Sequence, residues 1–316
     1  MVKIAVAGGT GNVATTLLAP LASSHSITVL TRSSPPTPKT PVPGFHYKTV
    51  DYSDLPALTA ALTGFDACLS FLVVHLDPSN AAQRALIAAC RAARVRRFAP
   101  AEWGLRHGSG VAAYAGKDAL AAHLADLNAR EGGLGMQTCA FQPSIFLDYF
   151  AHPHAPGGLF TWPFFVDFGA RRAIVLDGGD QPLVLTASGD VSKILDLALR
   201  DERVWPAVGG VQGCRMTTNE LLALGRRIRG GEWVVEHVKG EDIRRGVLDV
   251  EWVPQVQHPI VRDEEREEWS RMFVLQFFGA ILEGAWEVGR EWNERFPEVE
   301  FQGVEEYLTR AWAGKP

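Results

Sequence analysis

The chain of 316 residues carries a formal charge of -5 at neutral pH, with 47% hydrophobic and 21% charged residues and a mean hydropathy near zero. Such a composition points to a globular protein rather than a disordered or membrane-embedded one, and its mildly acidic balance offers no basic field for nucleic acid or anionic lipid. A small-molecule partner is therefore the expectation, and the length allows one large domain or two ordinary ones.

The opening MVKIAVAGGTG runs from Met1 directly into a strand-like apolar stretch, leaving no room for the three regions of a secretory signal, and a cytoplasmic location is expected. The alternation that follows predicts strands at 3–7, 26–30, 45–50, 67–72, 97–99 and 136–141, and helices at 13–23, 55–62, 81–93 and 117–130. The proline-rich stretch 33–44 must be a surface loop. Strands alternating with helices in this way form a doubly wound parallel α/β sheet. Beyond residue 150 the alternation breaks into aromatic and Pro/Gly-rich sequence. Residues 1–150, completed by about 187–213, are read as a dinucleotide-binding domain, with 151–186 and 214–316 as a substrate-binding lobe. The ten residues 273–282 lie between Arg271 and Glu283, too few for the ~20 of a membrane span, and read as a core helix. Cys68, Cys90, Cys139 and Cys214 are far apart and are expected to be reduced thiols.

In VAGGTGNVA, residues 6–14, Gly8, Gly11 and Ala14 fall at GxxGxxA spacing between a predicted strand and a predicted helix. Glycine permits the tight turn and the close approach of backbone N–H groups to a pyrophosphate. Thr10, Asn12 and Val13 complete the set assigned to the cofactor. An NAD site wants an acid about 20 residues further on, yet no acid occurs between Lys3 and Val50. Arg32 and Ser33 stand there instead, a pair suited to a 2′-phosphate, so NADP(H) is the predicted cofactor.

RFAPAEWG, residues 97–104, resembles the strand-five motif of the NmrA-like and isoflavone-reductase-like atypical short-chain dehydrogenases, with Ala101 and Trp103 departing from the usual Ser and Phe. The resemblance extends through VDYSDL (50–55), QRALIAACRAARVRRF (83–98), Lys117 and GDQPLVLTASGDV (179–191). It implies a Rossmann-like NADP(H) domain and a smaller C-terminal lobe enclosing the substrate. It also implies that Lys117 acts as general acid/base or holds the nicotinamide ribose. The usual short-chain dehydrogenase pair needs a tyrosine four residues before the lysine, on the same helix face. That slot holds Ala113, and Tyr114 is one residue out of register.

Lys117, Tyr114 and Glu102 are therefore the candidate catalytic residues, and Trp103, Phe146, Tyr149 and Phe277 the candidate substrate contacts. Asp148 and Phe150 are expected beside that pocket, while the aromatic residues of the second lobe either line it or form its core. His75, His107, His152 and His154 read as surface or structural histidines, and no spacing suggests a metal site. Three functions remain open at this stage. The leading one is an NADPH-dependent reductase of a small, largely apolar metabolite; the others are a dinucleotide-sensing regulator with a protein partner and a redox-neutral isomerase.

Overall fold

A computed structural model of the chain describes residues 1–32, 41–130, 135–258 and 261–316. The first half builds β1 (Lys3–Ala7), α1 (Asn12–Leu18), β2 (Ser26–Thr31), β3 (Phe45–Thr49), α2 (Leu55–Leu62), β4 (Ala67–Ser70), α3 (Ala81–Ala92), β5 (Arg97–Ala99), α4 (Ala115–Arg130), β6 (Gln137–Thr138) and β7 (Ala140–Gln142). The strands pair in the order β3-β2-β1-β4-β5-β6, all parallel. The order reverses between β1 and β4, and in such sheets ligands bind beyond the carboxyl ends of the strands at that reversal. β1 and β4 are almost wholly buried, as strands covered by helices on both faces must be.

Two elements depart from expectation for local reasons. The helix predicted over 13–23 ends at Leu18 and continues as a 3-10 turn over Ala19–Leu21, where Pro20 has no N–H to continue the ladder. The strand predicted over 136–141 changes partner midway. Cys139 N–H still donates to Phe98 O on β5, but Ala140 N–H donates to Ala207 O.

The second half supplies β8 (Ile145–Phe146), β9 (Val166–Asp167), β10 (Arg172–Leu176), β11 (Pro182–Thr186), α5 (Ser188–Arg200), β12 (Val208–Gly210), β13 (Cys214–Thr217), α6 (Thr218–Arg229), β14 (Val234–Val238), α7 (Gly240–Arg244), α8 (Arg266–Leu282), α9 (Glu291–Arg295) and α10 (Val304–Trp312). β12 pairs in parallel with β7, so the run at 208–211 returns to the edge of the first sheet. A Cβ at Gly209 would fall 2.0 Å from Trp292 Nε1, so only glycine lets this edge accept the indole. Arg97 on β5 anchors the returning chain. Its guanidinium donates to Ala198 O and Leu199 O at the end of α5, at 3.1 and 2.9 Å, and stacks on Trp205.

Two small sheets, β14-β10-β9 and β13-β11-β8, belong to the second half. Its core gathers Phe150, Phe164, Phe165 and Phe168 with Phe277 and Phe278 of α8. The apolar stretch within α8 is thus a core helix, and no helix among the described residues is long and apolar enough to cross a membrane. Cys68, Cys90 and Cys139 are buried and all four cysteines are free thiols.

Candidate active site

The glycine turn follows β1 directly. Gly8 has φ +71°, and a Cβ there would lie 2.6 Å from Phe71 O, so both conformation and space demand glycine. Gly11 N–H donates to Gly8 O at 3.0 Å and Gly11 precedes α1, whose first turn has no side-chain cap. That leaves the opening N–H groups of α1 for an anion, and the turn fits a dinucleotide pyrophosphate. Thr10, Gly11 and Asn12 are exposed and Val13 is half-buried. Arg32 is exposed immediately beyond the carboxyl end of β2, the strand beside β1. Ser33 lies outside the described residues.

A cavity of about 700 Å³ opens beside this turn. Gly11, Asn12 and Val13 line one side; Phe71, Ala101, Glu102 and Trp103, beyond β4 and β5, line its base; Tyr114 and Lys117 project from the start of α4 and the turn before it. The remaining wall is aromatic and comes from the second half: Tyr149, Trp162, Trp269, Phe273, Phe277 and Trp286. One cavity thus brings together Lys117, Tyr114, Glu102, Trp103, Tyr149 and Phe277.

Lys117 Nζ donates to the main-chain oxygen of Glu102 and stands 4.6 Å above the centre of the Tyr114 ring. Burial pushes the lysine pKa below its ordinary value, opposed by the carboxylates of Glu102 and Asp118. Tyr114 lies in a 3-10 turn, Ala112–Tyr114, ahead of the helix, so it meets the ammonium with the face of its ring. Burial, and then the Glu102 charge, raise the phenol pKa.

Glu102 is itself buried. Its Oε1 lies 3.1 Å from His107 Nε2, while Oε2 is enclosed without a hydrogen-bond partner. The bond to Glu102 raises the His107 pKa above its ordinary value, against the opposing effect of burial. His107, read from sequence as a surface or structural histidine, is the ion-pair partner of Glu102. The available signal was its position five residues after that acid on the same loop.

Trp103 adopts φ +41°, unusual for a bulky residue. Its indole N–H donates to Ser70 O at 2.7 Å, and its ring lies between Phe71, at 4.3 Å and 7°, and Phe141, at 5.3 Å and 12°. The stack continues through Trp292 to Phe296. Trp103 therefore borders the cavity while most of its ring packs in the core.

Phe146 requires correction as a substrate contact. It is buried on β8, which pairs with β11, within the apolar cluster that also holds Val191 and Ile194 of α5, and it does not line the cavity. Asp148 and Phe150 are likewise withdrawn. The Asp148 carboxylate accepts both the N–H and the hydroxyl of Ser188, at 2.9 and 2.7 Å, and Phe150 packs on Phe164 and Phe165. Sequence reasoning missed Phe71, Gln276 and Trp286, which become neighbours only when the two halves close on each other.

Residues 8–106 match a family model described as NAD(P)H-binding. The chain is 27% identical to the oxidoreductase swnN of Metarhizium robertsii, the match covering 100% of this chain and 98% of that one. It is 26% identical to the isoflavone reductase homolog IRL of Zea mays, covering 98% and 97%. A solved structure of leucoanthocyanidin reductase from Vitis vinifera with NADPH superposes with a TM-score of 0.69 at 16% identity, covering 98% of this chain and 99% of that one.

Proposed function

We propose that the chain, which shares the isoflavone-reductase fold and whose residues 8–106 match an NAD(P)H-binding family model, is an NADPH-dependent reductase of a small, largely apolar, oxygenated or nitrogenous metabolite, as in specialised metabolism. The observation that carries this reading is the Lys117 ammonium held at the edge of an aromatic cavity that also reaches the glycine turn. Residues 1–150 with about 187–213 form the dinucleotide lobe in this reading, and 151–186 with 214–316 the substrate lobe.

The turn from Gly8 to Val13 would hold the pyrophosphate, and Arg32 the 2′-phosphate through charge-assisted hydrogen bonds that favour NADP(H) over NAD(H). When bound, the reduced dinucleotide supplies a hydride to a substrate carbon conjugated to a carbonyl, quinone methide or imine. Lys117 Nζ delivers the balancing proton to the heteroatom. Its lowered pKa suits that role, since a group titrating nearer neutrality gives up its proton more readily. Glu102 fixes the ammonium through its main-chain oxygen, and the Tyr114 ring supports the charged form. Tyr149, Trp162, Phe273 and Phe277 exclude water and pack against an apolar substrate. The reaction thus proceeds without the tyrosine of the usual dyad, whose slot is Ala113.

The test is mass spectrometry of a source-cell metabolite extract incubated with NADPH and either wild-type protein or Lys117→Met. A wild-type product two hydrogens heavier than a depleted metabolite is expected, with turnover lowered about 100-fold or more in the variant, the usual scale for losing a general acid. An isomeric product without NADPH consumption, or an extract unchanged despite bound cofactor, would overturn the reductase reading.

A further inference from the structure

Asn12 is the first residue of α1 and belongs to the turn assigned to the cofactor, yet its side chain is engaged elsewhere. Its Nδ2 donates to Gly158 O at 3.2 Å, and its Oδ1 accepts the N–H of Phe160. One amide thereby makes both bonds of a short ladder to a segment nearly 150 residues away.

That segment is anchored differently at its two ends. Gly157 packs so closely on Ser188 that a Cβ would lie 2.9 Å from Ser188 Oγ, and Ser188 is in turn held by buried Asp148. Beyond it, Leu159 is buried in the same apolar cluster as Ala14 and Leu17 of α1, while Phe160 remains 41% exposed. The backbone on either side of Leu159 is therefore held to α1 by the Asn12 amide. Gly11, Asn12 and Val13 line the same cavity as Phe160, Trp162 and Lys117. Trp162 extends the contact to the substrate wall, meeting Tyr149 edge-on at 4.9 Å and Phe273 at 6.2 Å.

We propose that Asn12 is a positioning residue that clasps segment 157–162 across the cofactor turn, so that binding of the dinucleotide orders the aromatic wall that receives the substrate. The proposal rests on the dinucleotide reading above. A ligand reaching from the glycine turn toward Lys117 occupies the cavity bordered by this segment, so closure and cofactor binding favour one another by linkage.

Hydrogen exchange of the full chain, read by mass spectrometry with and without NADP⁺, tests this without any substrate. In the wild type NADP⁺ is expected to slow exchange across 157–162. Asn12→Ala, whose NADP⁺ affinity falls with the clasp by the same linkage, is compared at NADP⁺ concentrations shown by calorimetry to saturate it, and there it is expected to lose that protection by about 5- to 100-fold, the scale of two modest net hydrogen bonds. Phe160→Pro, which deletes the donor while leaving the glycine turn intact, should act in the same direction. Bound NADP⁺ that leaves 157–162 unchanged in the wild type, or protects it equally in Asn12→Ala, would overturn the clasp. Failure of the wild type to bind NADP⁺ at all would instead remove the dinucleotide reading, and the clasp with it.

Discussion

Truncating His107 to alanine removes the counter-charge of a buried carboxylate beside the candidate proton donor. With Nε2 and Oε1 3.1 Å apart, the attraction at an effective dielectric of 20 is about 5 kcal/mol. Desolvation of Glu102, whose side chain is 2% exposed, offsets part of it, and the 24% exposure of His107 screens more, leaving about 2–4 kcal/mol. The pH dependence has a definite sign. The folded-state pKa of His107 is raised above the ordinary 6.5, so the ion pair contributes fully below that value and its contribution fades as pH rises through the folded pKa. Once the imidazole is neutral the charge attraction is gone, and Nε2, which lies close to Oε1 without hydrogen-bond geometry, retains little. Urea unfolding followed by tryptophan fluorescence should therefore show His107→Ala less stable than wild type by about 2–4 kcal/mol near pH 6, with the gap falling below about 1 kcal/mol near pH 9. A gap that is constant, or that widens with pH, would show that His107 does not stabilise Glu102 by charge.

Two further substitutions probe the cofactor end. Gly8→Ala forces an L-residue to φ +71° and sets a Cβ 2.6 Å from Phe71 O; it should lower stability by about 2–4 kcal/mol in the same unfolding assay, and a loss below about 0.5 kcal/mol would show that the turn relaxes freely. Arg32→Ala should weaken NADP⁺ binding by about 10- to 150-fold and NAD⁺ binding by less than about twofold in calorimetry. Equal loss of both would remove Arg32 as the 2′-phosphate contact.

The first sheet was legible because its signals are local. Buried apolar runs mark β1 and β4, Pro56 and the Asp54 cap mark the start of α2, and the glycine turn falls directly after a strand. Misreadings arose where a distant partner decides. The 136–141 strand divides because β12, some 70 residues later, takes over the pairing at Ala140. Phe146 was assigned to the cavity from its position after that strand, but its direction is set by pairing with Thr186. Tyr114 and Lys117 were legible as residues, whereas their arrangement, ring face under ammonium, depends on the 3-10 turn before α4. The His107 pairing and the Asn12 clasp carry no periodic signature, since each depends on how a loop returns.

The aromatic stack from Phe71 to Phe296 also sets a schedule for assembly. Phe141 emerges from the ribosome about 150 residues before Trp292, which covers its second face. At ~5–20 residues per second, that interval lasts roughly 8–30 s. During it the far edge of the first sheet stands with an apolar ring uncovered, and β7 waits for β12. The nascent chain must protect that ring until α9 arrives, so this late helix closes the edge of the first sheet, whereas α10, the last, packs into the core of the second half.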